Sequence, residues 1–430
     1  YRYPMGQKDP IYIDSTDAGV ERHLSNIYGK QLISLSARNY CQLINYDRLQ
    51  RQTELKVKKL SGVKIIDAFT DFNLVEQFFY EDYLLAQGKT QKQLQDCNLW
   101  GALYQLNDLS GTVTHHQYSL HGEVLQTSRQ IVEDYKKAVD WRQEVALEND
   151  VYKSQFTYNA VKQLITETTP DDSVTTKSYN QVGLLKSVAL TLSDGTYQQI
   201  IKKIDYDANG QRTELHYGNG IKTCFQYEAT TLHLLSIQNS QQDLQYTYDP
   251  VGNITRLRDQ TYQTVFHSNQ KVSPLSDYSY DALYRLTAAN GRQHPGVNAS
   301  SLKQADFIAL PSINDGNALE SYSETYSYDD SGNLIKKQHQ ASSSSWTTET
   351  PVEANSNHLQ GLKYDASGNL RQASTGSNLD LSFNCCENLV KATIVQRQNG
   401  PDDSEYYLYD SHEQRTRKVS ELMVKNGTLS

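Results

Sequence analysis

A short phrase built on tyrosine and aspartate recurs along most of this sequence. It reads YTYDPVGNITRLRD at residues 246–259, YDDSGNL from Tyr328 and YDASGNL from Tyr364. Three of its spacings are 21 residues, and later ones are 32, 48 and 36. Repeats of this length predict stacked supersecondary units joined by loops of variable length. Tyrosine followed by Asp or Asn stands at Tyr46, Tyr158, Tyr179, Tyr206, Tyr248, Tyr280, Tyr328, Tyr364 and Tyr409, with a degenerate copy at Tyr227.

Each repeat reads as strand, turn and strand. Leu244, Tyr246 and Tyr248 alternate with polar residues, which is the period of a half-buried strand. The Asp that follows can bond the backbone two residues on, and a glycine such as Gly252 can supply the positive φ of a tight turn. We therefore predict a mainly all-β fold, a strip of β-hairpins with short helical and loop insertions. The predicted turn residues are Tyr206, Asp207, Gly210, Tyr248, Asp249, Gly252, Tyr280, Asp281, Tyr328, Asp329, Gly332, Tyr364, Asp365, Gly368, Tyr409 and Asp410.

Composition supports a thin, tyrosine-rich sheet and excludes several classes of protein. There are 31 Tyr against 9 Phe, so most of the aromatic surface carries a hydroxyl group that needs water or a partner. The hydrophobic share of 37% argues against a thick core. A net charge of only −9 with many aromatic residues is not typical of disorder, and an acidic balance does not favour nucleic acid as a partner. No stretch is apolar enough to predict a membrane span.

The sequence offers no clear catalytic, cofactor or metal site. His115, His116 and His121 lack a regular ligand spacing, so we favour chance clustering over a metal site. Nine copies of a catalytic Tyr-Asp pair would make little sense, and a residue pair that recurs once per repeat is expected to hold the repeat together. We therefore predict a protein that is not an enzyme and has no cofactor. Free thiols are predicted at Cys41, Cys97, Cys224, Cys385 and Cys386.

Some segments depart from the strand rhythm. Residues 128–150 carry apolar residues at helical spacing behind a possible Ser128 cap, which predicts a short helix in an insertion that packs on the sheet. Residues 296–321 and 339–357 read as polar loops. The sequence does not begin with Met or a signal peptide, which favours an internal fragment.

An ordered set of phrases resembles a known family. YTYDPVGNITRLRD, then NQKVSP, then YSYDALYRLTAANGR at Tyr278 to Arg292 is similar to Rhs/YD-repeat proteins, and especially to the C component of bacterial insecticidal Tc toxin complexes. HYGNGIKT from His216 and EYYLYDSHEQRTRKVSE from Glu405 resemble further stretches of that component in the same order. The resemblance is clear from about residue 118. We expect a YD-like segment 1–117 and a YD-repeat segment 118–430 with an insertion near 128–150, or one continuous repeat domain 1–430.

The resemblance implies a fold and a function. In that family YD hairpins form a strip that spirals into a hollow shell around a toxic C-terminal segment, which a conserved end region releases by aspartyl self-cleavage. That end region is expected to follow residue 430, so neither self-cleavage nor cargo is assigned to these residues. Asp249-Pro250 shares a few letters with that end region, but its position in the repeat predicts a turn.

The resemblance thus predicts a non-enzymatic shell segment of a secreted or extracellular bacterial toxin complex. Its expected partners are a Tc B-type component, or the remaining shell of the same polypeptide, and the enclosed C-terminal toxin. The alternative is a cell-surface adhesion or carbohydrate-binding YD-repeat protein whose exposed Tyr rings stack on sugars. A hydrolase hidden in the insertions would have only scattered Asp and His in its favour.

Overall fold

The protein is built from antiparallel hairpins in two compact units. The computed structural model describes residues 2–3, 10–61, 71–267, 270–295, 318–372 and 379–424. Unit 1 comprises Tyr1–Ser173 and Glu353–Ser430, and unit 2 comprises Val174–Val352. Strands make up nearly all of the regular structure, so the predicted all-β class is confirmed. The division into segments 1–117 and 118–430, and the alternative of one continuous domain, stay predictions.

Unit 1 begins with eleven strands that pair in chain order, each antiparallel to the next, and we call this sheet the first ladder. Connections between sequential antiparallel strands are short, so the chain builds the sheet by adding hairpins. The strands are β1 Tyr12–Ser15, β2 Gly19–Ser25, β3 Gln31–Leu35, β4 Tyr40–Tyr46, β5 Gln52–Lys59, β6 Asn73–Phe79, β7 Gln105–Asp108, β8 Gly111–Tyr118, β9 Val124–Ile131, β10 Tyr152–Tyr158 and β11 Leu164–Thr168.

Unit 2 repeats this plan. Thirteen of its strands pair antiparallel in chain order, and β20 and β21 form a separate hairpin between β19 and β22. The strands are β12 Val174–Tyr179, β13 Leu185–Thr191, β14 Tyr197–Tyr206, β15 Arg212–Tyr217, β16 Lys222–Tyr227, β17 Leu234–Gln238, β18 Asp243–Tyr248, β19 Ile254–Asp259, β20 Val265–His267, β21 Gln270–Val272, β22 Leu275–Tyr280, β23 Leu286–Gln293, β24 Glu320–Tyr328, β25 Leu334–Ala341 and β26 Ser345–Glu349.

A six-stranded antiparallel sheet, which we call the C-terminal sheet, completes unit 1. Its strands are β27 Lys363–Tyr364, β28 Leu370–Gln372, β29 Asp380–Phe383, β30 Leu389–Val395, β31 Asp403–Tyr409 and β32 Arg415–Glu421.

A register shift directly precedes the tyrosine of each YD hairpin. It falls between Thr247 and Tyr248, between Ser327 and Tyr328, and at the equivalent place in the other YD hairpins. Such a bulge raises the local twist of the strand and accompanies turns longer than two residues. The repeat therefore bends the sheet at the same edge every second strand.

The predicted helix in residues 128–150 is wrong. Residues 128–131 complete β9, where Ser128 pairs with both Thr114 and Lys153. Beyond it, Asp134 accepts backbone N–H groups at 136 and 137, which holds a turn in place of a helix. Val132 then bridges to Leu147 as an isolated antiparallel pair. Helical spacing of apolar residues was misleading because these side chains pack on the neighbouring sheet from an irregular loop.

The two helices of the described chain lie elsewhere, between β6 and β7. They are α1 Glu81–Ala86 and α2 Gln91–Asp96. Thr90 caps α2: the backbone N–H of Gln93 donates to the Thr90 hydroxyl oxygen at 3.3 Å, and the Thr90 N–H donates to the Gln93 side chain at 2.9 Å. Leu84 and Leu94 pack with Leu99 and Tyr118 in a small apolar cluster, so both helices are held on the first ladder.

The polar-loop prediction for 339–357 is also wrong in part. β25 continues to Ala341, and Ser345–Glu349 forms β26, which pairs with it. Thr347, Thr348 and the preceding Trp346 suit a half-buried strand, and the serine run supplies the turn before them. Of the other predicted loop, residues 296–317 lie outside the described residues, and β24 begins at Glu320.

The core is thin, as the composition predicts. In the described part of unit 2 the buried apolar residues are Ala189, Ile204, Leu215, Val272 and Ala289. Unit 1 holds larger clusters, including Leu55, Val57 and Val75 where the first ladder faces the C-terminal sheet. Backbone hydrogen bonds and half-buried tyrosines therefore supply much of the stabilising contact in unit 2. Unit 1 has, in addition, a buried apolar contact between its two sheets.

Candidate functional site: the YD turns and the seam of unit 1

The YD turn is built by its aspartate. In the turn that starts at Asp249, the carboxylate Oδ1 accepts the backbone N–H of Val251 at 3.0 Å and that of Asn253 at 2.8 Å. Oδ2 accepts the Asn253 side-chain amide at 2.8 Å. These hydrogen bonds, first that from the Asn253 side chain, lower the pKa of Asp249. Gly252 has φ 95°, the left-handed region that a glycine enters at little cost.

The other predicted turns share this arrangement. Gly210, Gly332 and Gly368 have φ values of 79°, 93° and 81°. The turns at Asp281 and Asp410 use Tyr284 (φ 62°) and Glu413 (φ 61°) in the left-handed region, which sequence reasoning missed because neither is glycine. Backbone N–H groups two and four residues on donate to Oδ1 of Asp207 (2.9 and 2.8 Å), Asp281 (2.9 and 2.9 Å), Asp365 (3.0 and 3.0 Å) and Asp410 (2.9 and 2.9 Å); Asp329 accepts from Asn333 N–H at 2.8 Å.

In five YD pairs the tyrosine hydroxyl bonds its strand to the neighbouring strand that comes earlier in the chain. The Tyr248 hydroxyl donates to the Leu234 carbonyl at 2.7 Å, which lies at the start of the preceding strand. Burial raises the pKa of this phenol. The same bond is made by Tyr46 to Gln31 (2.9 Å), Tyr206 to Leu185 (2.7 Å), Tyr280 to Ile254 (2.8 Å) and Tyr328 to Leu286 (2.9 Å). The recurrence of this hydroxyl bond explains why the repeat uses Tyr and not Phe.

Two predicted tyrosines of the C-terminal sheet are placed differently. The Tyr364 hydroxyl accepts the Leu359 N–H at 3.0 Å, and its ring stacks on His358 with centroids 4.0 Å apart. Tyr409 ends β31, and burial raises the pKa of its hydroxyl. Together with the turns above, this places all sixteen predicted residues at hairpin turns. That they serve structure alone stays a prediction.

All YD turns of the first ladder lie at one edge of the sheet, because each follows an even-numbered strand; we call this edge the YD rim and the other edge the opposite rim. The third position of several YD turns carries an aliphatic residue that is 60% to 80% exposed. Those residues are Leu49, Val161, Val182, Val251 and Leu283. In the C-terminal sheet the same position holds Ser367, Cys386 and His412.

Within unit 1 the opposite rim of the first ladder packs against the YD turns of the C-terminal sheet, and we call this contact the seam. Its first part joins the β1–β2 turn to the turn at Asp365. Asp17 accepts the Asn357 backbone N–H at 2.6 Å and the Asn357 side-chain amide at 2.8 Å, and these bonds lower the pKa of Asp17. A Cβ on Gly368 would stand 2.4 Å from the Asp17 carbonyl oxygen, so only glycine fits this approach.

Arg38 in the β3–β4 turn makes the second part of the seam. Its guanidinium donates to the Phe383 carbonyl at 3.1 Å and also to the carbonyl of Asn384. It forms an ion pair with Glu387 at 2.6 Å and lies 3.5 Å from the Asp365 carboxylate. One planar cation with several donors thus links two neighbouring YD turns.

Asp108, the last residue of β7, makes the third part. It is fully buried, and its Oδ1 accepts the N–H groups of Ser110 at 2.8 Å and Gly111 at 3.0 Å. Its Oδ2 accepts from Arg129 at 3.1 Å and from the Ser411 N–H of the next YD turn at 3.3 Å. These hydrogen bonds and the Arg129 cation offset the cost of burying the Asp108 charge, so the contact between the two sheets is stable.

The insertion after β9 closes the far end of the seam. Val132 and Val139 pack on Leu408 of the C-terminal sheet. The Tyr135 hydroxyl donates to the Glu421 carboxylate at 2.6 Å. The insertion therefore packs on a sheet, as the sequence predicts for it, although it is not a helix.

A cavity of about 410 Å³ lies along the seam, lined in part by Glu76, Cys385 and Cys386. Glu76 is only 8% exposed. Burial, together with the nearby charges of Asp108 and Asp410, raises the pKa of Glu76 to about 7. This carboxyl group changes its charge near neutral pH inside a contact between two sheets.

Other candidate sites are weaker. Among the described residues, one group of three possible metal ligands lies close together, namely Asp205, Glu214 and His216 in unit 2. Lys203 pairs with Asp205 at 2.7 Å and Lys222 with Glu214 at 2.7 Å, so both carboxylates already have cationic partners.

The histidine and cysteine predictions can also be placed in the structure. Burial lowers the pKa of His115 to about 4, and His116 contacts the Ser128 hydroxyl at 2.8 Å. The five cysteines are free thiols. The described residues include no helix that is long and apolar enough to cross a membrane.

Comparison with known proteins relates the chain to toxin subunits. No family model matches. Toxin subunit YenC1 of Yersinia entomophaga is 35% identical over 301 residues, which cover 63% of this chain and 30% of that protein. Toxin subunit YenC2 of the same organism is 28% identical over 459 residues, or 97% of this chain and 46% of that protein. The chain thus spans less than half the length of either relative.

Solved structures of Tc toxin complexes also match this chain, in fold as well as in sequence. The crystal structure of TcdB2–TccC3 matches 98% of this chain, and 21% of that chain, with a TM-score of 0.84 and 29% identity. The Photorhabdus luminescens Tc holotoxin pore matches 97% of this chain, and 20% of that chain, with a TM-score of 0.85 and 28% identity. Likeness in both sequence and fold confirms the resemblance that the repeats indicate: the chain is similar to the C-type subunits of Tc toxin complexes.

Proposed function

We propose that this chain is a non-enzymatic wall segment of an extracellular Tc-type toxin complex, and that the wall encloses a toxin polypeptide until delivery. The seam is the observation that carries this proposal. The turns on the opposite rim of the first ladder are joined to the C-terminal sheet through Asp17, Arg38 and Asp108. A closed wall needs contacts of this kind between its sheets, because the hydrogen bonds of a ladder join strands only side by side.

The wall is suited to enclosure in a second respect. Its backbone groups are paired within antiparallel ladders, and five of the YD tyrosines add a bond from their strand to a neighbouring one. Because these bonds are internal to the wall, a polypeptide next to it finds few free strand partners. The proposed partners are a Tc B-type component, or further wall from the same polypeptide, and the enclosed C-terminal toxin.

The carbohydrate-binding alternative has less support. Stacking on sugars needs exposed ring faces, but the repeat tyrosines are half-buried and use their hydroxyl groups inside the sheet. A glycan array on the purified chain tests this alternative, and specific binding by the wild-type chain would favour it.

A chimera tests the proposed wall function. Residues 10–424 of this chain replace the matching segment of TccC3 in the TcdB2–TccC3 complex, and protease digestion of the enclosed C-terminal region is followed over time. We expect digestion to be as slow as in the parent complex. The matched control carries Arg38→Ala, which removes the link between two YD turns and should speed digestion. An assembled chimera whose C-terminal region is digested at the rate of the free polypeptide would contradict the proposal.

A further inference from the structure

Two adjacent cysteines follow Phe383-Asn384 in a turn at the seam that has the hydrogen bonds of a YD turn. The turn between β29 and β30 starts at Asn384, and Cys385 and Cys386 are its second and third residues. Their sulfur atoms lie 3.9 Å apart. Wall function as proposed above does not require thiols at these positions, since other YD turns hold different residue pairs there, such as Pro250-Val251 and Ala366-Ser367.

The backbone of this turn is part of the seam. The Gln42 side-chain amide donates to the Cys385 carbonyl at 3.1 Å, and the Arg38 guanidinium donates to the Phe383 carbonyl at 3.1 Å. Cys385 also packs on the buried cluster that contains Val57. Any change in the conformation of the turn therefore acts directly on the contact between the two sheets.

The two thiols are chemically unequal. The hydrogen bond from Cys386 is the main cause that lowers the pKa of Cys385, against the effect of burial. The same interaction raises the pKa of Cys386. Both cysteines line the cavity of about 410 Å³, through which a small molecule can reach them. Since the thiolate is the nucleophile in disulfide exchange, Cys385 is the sulfur expected to react first.

We propose that Cys385 and Cys386 form a modification site for low-molecular-weight disulfides. The Cys385 thiolate attacks one sulfur of the small disulfide, forming a mixed disulfide and releasing the first small thiol. The Cys386 thiol loses its proton and attacks the Cys385 sulfur, which forms the Cys385–Cys386 bond and releases the second thiol. The protein dithiol is oxidised by two electrons, and the small disulfide is reduced by two.

Oxidation changes the seam because of ring geometry. The two sulfurs must move from 3.9 Å apart to bonding distance, and the ring that they close contains the peptide group between the two residues. That peptide carries the carbonyl bonded to Gln42 and the N–H of Cys386, which donates to the Asn384 side chain at 2.9 Å. Turning the peptide to close the ring breaks these bonds and loosens the turn.

The test uses the purified chain with dithiothreitol or with cystamine, a small disulfide. Intact-mass and peptide analysis should show the loss of two hydrogen atoms from the peptide that contains Cys385 and Cys386. Hydrogen exchange of residues 36–42 and 384–388 should become faster by about fivefold or more, since the loss of one hydrogen bond changes a local equilibrium by about that factor. Cys224→Ser is the matched control and should behave like the wild type.

Separate outcomes overturn the two parts of the proposal. A stable cystamine adduct on either cysteine, or no modification, would overturn the intramolecular disulfide. Disulfide formation with unchanged exchange in residues 36–42 would overturn its action on the seam. Cys386→Ser should retain the cystamine adduct on Cys385, and an adduct that forms equally fast on Cys224 would show that the site is not selective. None of these results depends on assembly into a toxin complex, so they are independent of the proposed wall function.

Discussion

Replacement of Glu76 by glutamine should stabilise unit 1 at neutral and alkaline pH but not in acid. Glu76 is almost fully buried, and its pKa is raised from 4.5 to about 7 by burial and by the charges of Asp108 and Asp410. The folded state therefore binds this proton more tightly than the unfolded chain does. The stability that Glu76 contributes is full below about pH 4.5 and is lost as the pH rises through about 7.

The size of the effect follows from the pKa. A rise from 4.5 to about 7 corresponds to about 3 kcal/mol, because one pH unit of pKa change is worth about 1.4 kcal/mol. Glu76→Gln removes the charge and keeps the shape. We expect the variant and the wild type to have equal free energies of unfolding near pH 4, and the variant to be more stable by about 3 kcal/mol near pH 8.

Urea unfolding followed by tryptophan fluorescence measures this difference. The Trp141 ring N–H donates to the Asp108 carbonyl at 3.0 Å, so its emission reports on the seam. The background carries Trp100→Phe and Trp346→Phe, which leaves Trp141 as the fluorophore. Midpoints are measured from acid to alkaline pH for both proteins. A difference between them that does not change with pH would refute the assignment of a buried, titrating carboxyl group.

A control with the opposite sign lies on the neighbouring strand. At Glu54 burial acts to raise the pKa, but hydrogen bonds from Lys56 and Asn45 outweigh it, so the net pKa is lowered. The stability from Glu54 is present above its unfolded pKa and is lost as the pH falls through the folded value. Glu54→Gln should therefore destabilise the chain at neutral pH and lose this effect in acid.

Three further predictions concern the repeats. Tyr248→Phe should lower the free energy of unfolding by about 1 kcal/mol, because it leaves a carbonyl without its donor, while Tyr197→Phe at an exposed position should change it little; urea midpoints compare the two. Gly252→Ala should lower the free energy of unfolding by about 1 kcal/mol because of the positive φ at this position. Gly368→Ala should lower it further, because its Cβ would also clash with the Asp17 carbonyl oxygen, and equal urea midpoints for the two variants would contradict the close contact at the seam. The chain should self-associate through exposed apolar turn positions, and Leu283→Ser should reduce light scattering at high concentration; a wild-type chain that stays monomeric would contradict this.

Much of the fold could be read from local patterns. Alternation around Tyr246 and Tyr248 predicts the strands, and Asp249 with Gly252 predicts the turn, because hairpin geometry depends on a few adjacent residues. The same local reasoning failed in residues 128–150. There the apolar spacing arises from packing against Leu408, more than 250 residues later, and no pattern in the segment itself reports that partner.

The sequence by itself determined that the chain folds as repeated hairpins of the YD type, because the turn and strand signals lie within each repeat of about 20 residues. Only the tertiary structure decided where the opposite rim of one sheet meets the YD rim of another. Asp17 lies 340 residues from Asn357, and Arg38 lies 346 residues from Asn384. The buried state of Glu76 and the position of Cys385 and Cys386 at the seam follow from this contact. The burial of Glu76 and the position of the two cysteines depend on the twist and bulges of many successive strands, and the sequence of a single repeat does not specify that combined effect.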